Sequence, residues 1–160
     1  MEDIPNTTAL LRERFRKLQD FNKGNIILHL PVENMLDSLI DERLEKNDLL
    51  PIGKKGNYLL VEISYFNPPM GLRNILLRIK AKGYFPILAH PERYVYMGKD
   101  GYLQLKTMGV KFRLNLFSLF NKYGKEVRKR AFHIRQFGMY DCIGTDLHQQ
   151  NILKGMLVKK

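Results

Sequence analysis

Five short apolar runs set the main constraint on this chain: residues 26–30, 58–63, 85–89, 110–116 and 141–144. Each is strand-length and bounded by turn-forming residues, the pattern of strands buried in a sheet. Between them lie segments whose apolar residues fall at helical spacing. Strands alternating with helices at intervals of roughly 25 to 30 residues indicate an α/β protein built on a parallel sheet.

The helical segments can be placed one by one. After a cap at Asn6, Thr7 and Thr8, residues Leu11, Phe15 and Leu18 form an amphipathic stripe that ends near Asn22, Lys23 and Gly24. Pro31 stops the 26–30 run, and residues 33–46 read as a second helix with Met35, Leu36, Leu39, Ile40 and Leu44 on its apolar face. Gly53 and Gly56 bracket a turn before the next strand. A third helix starts near Leu72, turns Ile75, Leu76 and Ile79 inward and stops at Gly83. Further helices are expected over 102–108 and 125–136. No linker, low-complexity segment or internal repeat divides the 160 residues, so one domain over 1–160 with one core is expected.

Charge and cysteine usage narrow the setting. Lys and Arg total 27 against 16 acidic residues, a net +11 that favours anionic partners: phosphorylated protein, nucleic acid or a membrane surface. The single cysteine, Cys142, permits no internal disulfide, which suits a reducing compartment. The opening residues carry no basic and apolar leader pattern, and no apolar stretch approaches the roughly 18 residues of a membrane span, so a cytoplasmic location is expected. Neither a P-loop nor a dinucleotide glycine fingerprint occurs, and no Cys-x5-Arg loop is present, which argues against thiol chemistry.

Four residues with metal-ligating side chains, Glu33, His90, Asp146 and His148, lie just beyond the C-terminal ends of predicted strands. In parallel α/β folds that edge is where active sites are assembled. Two carboxylates and two imidazoles suit hard or borderline cations such as Mn²⁺, Fe²⁺ or Zn²⁺. Asp146 and His148 are two residues apart, so an extended segment would point both to one side. Taken singly, each is more often a hydrogen-bonded structural residue; the coincidence of four at one edge raises the odds. Arg93, in a loop restricted by Pro91, could hold a phosphate bidentately beside such metals, although on the residues alone a surface salt bridge with Glu92 or another acid is the more common role. Glu62 and Glu92 are reserve candidates, and His29 and His133 read as structural or surface residues. The basic helix 125–135 turns Val127, Ala131 and Ile134 inward and reads as a solvated outer helix.

Several stretches together resemble a known family: Val32-Glu33-Asn34-Met35-Leu36-Asp37, Leu59-Leu60-Val61-Glu62-Ile63-Ser64, the block from Gly83 through Ala89-His90-Pro91-Glu92-Arg93-Tyr94, Leu114-Asn115-Leu116-Phe117-Ser118-Leu119, and Gly144-Thr145-Asp146-Leu147-His148. They are similar to the PHP-superfamily, metal-dependent protein-tyrosine phosphatases of bacterial capsule and exopolysaccharide loci. The resemblance implies a distorted βα barrel with divalent metals, manganese first and iron or zinc as alternatives, at its C-terminal rim. It implies Glu33, His90, Asp146 and His148 as metal ligands, Arg93 as the phosphate-holding residue, and Arg93 with His148 as the catalytic pair. The implied reaction is hydrolysis of phosphotyrosine by a metal-activated water, on a protein partner such as the tail of a bacterial tyrosine kinase, with no nucleic acid expected.

The chain departs from that family at its start, because the family's opening His-x-His motif is not found in it. A partial barrel missing its first βα units is therefore expected, with strand edges through which copies of the chain could associate. Gln149-Gln150-Asn151 stands where the family often has a further arginine. Two alternatives remain beside phosphotyrosine hydrolysis: a catalytically impaired remnant that binds an acidic or phosphorylated partner, and a small-molecule phosphoesterase.

Overall fold

The computed structural model describes residues 7–53 and 57–147. By its contacts the chain divides into two compact units, Met1–Leu88 and Ala89–Lys160.

The first unit opens with helix α1, Thr8–Phe21. The Thr7 hydroxyl caps it by accepting from the Leu10 N–H at 3.2 Å, and Asn22 closes it; Asn6 lies outside the described residues. None of its side chains is fully buried. The 26–30 run is not the buried strand its composition suggests. It is irregular backbone, with Ile26 and Ile27 71% and 80% exposed. Apolar content makes a strand only where a neighbour satisfies the backbone N–H and C=O groups, and among the described residues no strand pairs with this run.

The strand lies further on, where a helix was expected. Asn34–Met35 (β1) pairs in parallel with Tyr58–Glu62 (β2), Asn34 opposite Val61 and Met35 opposite Glu62. The Leu36 N–H extends the pairing to the Glu62 carbonyl at 2.8 Å. Buried Asn34 pins the segment, its Nδ2 donating to the Val32 carbonyl at 2.8 Å and the Leu60 carbonyl at 3.2 Å. The helix then begins only at Ile40 (α2, Ile40–Glu45), after a turn in which the Asp37 carboxylate accepts from the Leu39 N–H and from Arg43. Side-chain bonding to backbone thus displaces the first turns of the expected helix.

After Gly53, at φ 96°, paired hydrogen bonds between Ile52 and Tyr58 at 2.6 and 3.2 Å lead the chain into β2; Gly56 lies outside the described residues. Leu59, Leu60 and Val61 are buried in succession, so β2 is covered on both faces. Helix α3, Leu72–Ala81, buries Ile75, Leu76 and Ile79, and Gly83 ends it with a left-handed turn at φ 87°. β3, Phe85–Ala89, then pairs in parallel with β2 from Tyr58 opposite Phe85 to Val61 opposite Leu88.

The second unit begins as β3 ends. It contains a single-turn 3-10 helix at Pro91–Arg93, helix α4 (Lys99–Thr107), strand β4 (Lys111–Asn115), a second 3-10 helix at Leu116–Phe120, helix α5 (Lys125–Gln136) and strand β5 (Cys142–Gly144). β5 runs parallel to β4, with Asn115 opposite Gly144. Tyr94, Tyr102, Phe112, Ala131 and Ile134 are among its buried residues. The result is an α/β fold of parallel strands alternating with helices.

Candidate active site

In the first unit, Glu33 immediately precedes β1 instead of following a strand, which corrects its expected position. Glu62 is the last residue of β2 and lies opposite Met35, two residues beyond Glu33 in the register. A carboxylate oxygen of Glu33 and one of Glu62 lie within 4.8 Å of each other. Two like charges at that separation repel by at least about 3.5 kcal/mol at an effective dielectric of about 20, and a bound cation would reverse the sign of that term. The Tyr65 hydroxyl donates to Glu62 Oε1. Sequence reasoning held Glu62 only in reserve, because a glutamate ending an apolar run carries no mark until the neighbouring strand is in place.

In the second unit, the segment after β3 is anchored backbone by backbone. His90 is 1% exposed and adopts the left-handed conformation φ 34°, ψ 57°. Its N–H bonds to the Arg113 carbonyl at 2.8 Å and its carbonyl accepts from the Arg93 N–H at 2.9 Å. Asp146 is a second non-glycine residue in that region, at φ 48°. Such conformations cost of order 1–3 kcal/mol each and persist where the surroundings over-determine them, often at functional sites.

The surroundings here centre on Glu92, whose carboxylate is fully buried. Its Oε1 accepts from the Asn115 N–H at 3.0 Å and the Ser118 hydroxyl at 2.7 Å, and its Oε2 from the Tyr140 hydroxyl at 3.0 Å. The Arg130 Nε–H donates to the Glu92 carbonyl at 2.8 Å. Burial, and then the negative charge of Glu92, push the Tyr140 hydroxyl far up from its ordinary pKa and keep it a donor. Glu92 had no distinguishing feature in the sequence; in the fold it fastens the loop that presents its two neighbours.

Arg93 is placed by what surrounds its guanidinium. Its Nη1 bonds Asp146 Oδ2 at 3.2 Å, with the two side chains 21% and 10% exposed, and the guanidinium carbon sits 4.5 Å from the centre of the Tyr123 ring. Asn115, 1% exposed, donates from Nδ2 to Asp146 Oδ2 at 3.3 Å and to the Tyr123 hydroxyl at 3.2 Å, while its Oδ1 accepts from the Phe117 N–H at 3.0 Å. The acid that pairs with Arg93 through this bond comes from the β5 end, 53 residues along the chain. His148 lies outside the described residues. Cys142 is half-buried, and burial pushes its thiol up from the ordinary value, which disfavours a nucleophilic thiolate.

Among the described residues, Glu62 ends β2 in the first unit, while in the second His90 follows β3 and Asn115 ends β4; carboxyl ends of parallel strands are where α/β proteins commonly carry functional groups. Residues 2–157 match the family model described as capsular polysaccharide synthesis, CpsB/CapC, and the chain belongs to that family. It is 25% identical over 148 residues to the tyrosine-protein phosphatase YwqE of Bacillus subtilis strain 168, covering 89% of this chain and 58% of that protein. A chain from the crystal structures of YwqE from Bacillus subtilis and CpsB from Streptococcus pneumoniae, described as unique metal-dependent tyrosine phosphatases, superposes with a TM-score of 0.77 at 20% identity. That match covers 91% of this chain and 60% of the other. The chain therefore spans about three-fifths of the length of these relatives.

Proposed function

We propose that this chain carries the phosphate-holding part of a metal-dependent protein-tyrosine phosphatase. The observation that supports it most is the placement of Arg93, a guanidinium held between the Asp146 carboxylate and the face of Tyr123 on a loop fastened by a buried glutamate. A fixed guanidinium matches the paired oxygens of a phosphoryl group and binds them without first losing side-chain freedom. Family membership and a tyrosine phosphatase relative point the same way.

Glu33, His90, Asp146 and His148 are the proposed metal ligands, and Glu62 joins them because its carboxylate stands beside that of Glu33. The donor set of carboxylates and imidazoles fits manganese, iron or zinc. A divalent metal, when bound, supplies Lewis acidity toward a phosphoryl oxygen and lowers the pKa of a water. Arg93 then orients the phosphate, and the buried Glu92 network keeps Arg93 from relaxing. The substrate class is phosphotyrosine on a protein, such as a bacterial tyrosine kinase, and the chain is read as one domain forming part of a distorted βα barrel.

The test is hydrolysis of a phosphotyrosine peptide by the purified chain with Mn²⁺ added, beside an Arg93→Ala, His148→Ala double variant. Metal-dependent turnover that the variant lacks is the expected result. A folded sample without turnover refutes the enzymatic reading for these 160 residues; phosphopeptide binding that persists without turnover would instead assign the chain to binding.

A further inference from the structure

Arg93 is useful as an anion-holding group only if its guanidinium is held in one place, and a long flexible side chain pays entropy to be held. The second unit contains a device that does this. The Tyr123 ring lies under the guanidinium at 4.5 Å, and the Tyr123 hydroxyl is itself tied to Asn115 Nδ2 at 3.2 Å. The same Nδ2 donates at 3.3 Å to Asp146 Oδ2, the oxygen that pairs with Arg93. Asn115 cannot easily turn away, because its Oδ1 is occupied by the Phe117 N–H and its own N–H by Glu92. Aromatic platform and ion-pair partner are thus locked to each other through one buried amide.

We propose that Tyr123 and Asn115 are positioning residues for Arg93, the ring setting the plane of the guanidinium and the amide setting the ring and the carboxylate together. The inference rests on the reading of Arg93 as the phosphate-holding residue for its consequence, but the placement itself is independent of turnover. It extends the assignment to two residues that carry no charge and that no metal or phosphate chemistry requires.

The full chain serves for the test, with inorganic phosphate as the probe. Tyr123→Phe keeps the platform and removes the hydroxyl; Tyr123→Leu removes the platform. Two readouts are taken: the dissociation constant for phosphate by calorimetry, and the Arg93 Nε–H resonance in a nitrogen–proton correlation spectrum, identified by its loss in Arg93→Lys. The Leu variant is expected to weaken phosphate binding roughly 2- to 30-fold, the range for loss of an arginine–aromatic contact. Its Arg93 resonance should lose the ring-current shift, while the Phe variant, which keeps the ring but loses its tie to Asn115, should fall between the parent and the Leu variant in both readouts. Asn115→Asp, which replaces the shared donor by a like charge beside Asp146, should lower phosphate affinity at least as much. Equal behaviour of the Phe and Leu variants in the resonance overturns the proposal. If the parent chain binds no phosphate, the reading of Arg93 fails, and the resonance alone still decides whether Tyr123 and Asn115 place it.

Discussion

Glu92→Ala is the substitution that most directly probes how the loop is held. The carboxylate is wholly buried and accepts three hydrogen bonds, from the Asn115 N–H, the Ser118 hydroxyl and the Tyr140 hydroxyl. Truncation leaves those three donors without their acceptor; each buried unsatisfied group costs about 1–3 kcal/mol, and partial rearrangement keeps the sum below the simple total. Breaking a buried charged network by removing one member typically costs about 3–5 kcal/mol, and that is the expected loss here. For a chain of this length it corresponds to a fall in Tm of roughly 6 to 20 °C, taking about 2–4 °C per kcal/mol. Urea unfolding followed by circular dichroism measures it directly. Glu92→Gln provides the control: Oε1 is retained for Asn115 and Ser118, and Tyr140 can rotate its hydroxyl to accept from the new amide, so the loss should stay near 1–2 kcal/mol. An alanine variant within about 1 kcal/mol of the parent would refute the reasoning, since the network would then be replaceable by water or by local rearrangement.

Two other expectations test packing and protonation. Asn34→Ala removes the buried amide that ties β1 to the Val32 and Leu60 carbonyls, and should cost about 1–3 kcal/mol in urea unfolding; an unchanged midpoint would mean that the short pairing of β1 with β2 holds without it. Burial raises the Tyr102 hydroxyl from 10.0 to about 12, so the folded state retains a proton that the unfolded chain releases. That contribution is fully present below pH 10.0 and is lost as pH rises toward about 12, by up to about 1.4 kcal/mol per pH unit. Tyr102→Phe should flatten this alkaline slope, and an unaltered slope would place the titration elsewhere.

Much of the scaffold was legible in the sequence because its signals are local. The 85–89 run became β3 with those bounds, the inward stripe Ile75, Leu76 and Ile79 defined α3, and the basic helix over 125–136 matches α5. The 26–30 run and the 33–46 stripe misled for one reason: apolar composition reports a preference for burial and does not name the partner that supplies it. Asn34, which sits inside the supposed helix, bonds instead to two carbonyls, one of them on β2, and only the assembled sheet contains that acceptor.

The site divides along the same line. Ionisable residues following apolar runs made His90, Arg93 and Asp146 candidates from sequence alone, since strand ends and residue chemistry are both written locally. What the tertiary structure decided is how they are held: the pairing of Arg93 with Asp146 across 53 residues, the ring of Tyr123 beneath the guanidinium, the amide of Asn115 joining them and the buried carboxylate of Glu92 behind the loop. Glu62 likewise gained its meaning only when the fold brought its carboxylate within 4.8 Å of that of Glu33. A sequence fixes which groups are available, but hydrogen bonds and ion pairs depend on distances of about 3 Å between residues far apart in the chain, and those distances exist only once the strands are in register.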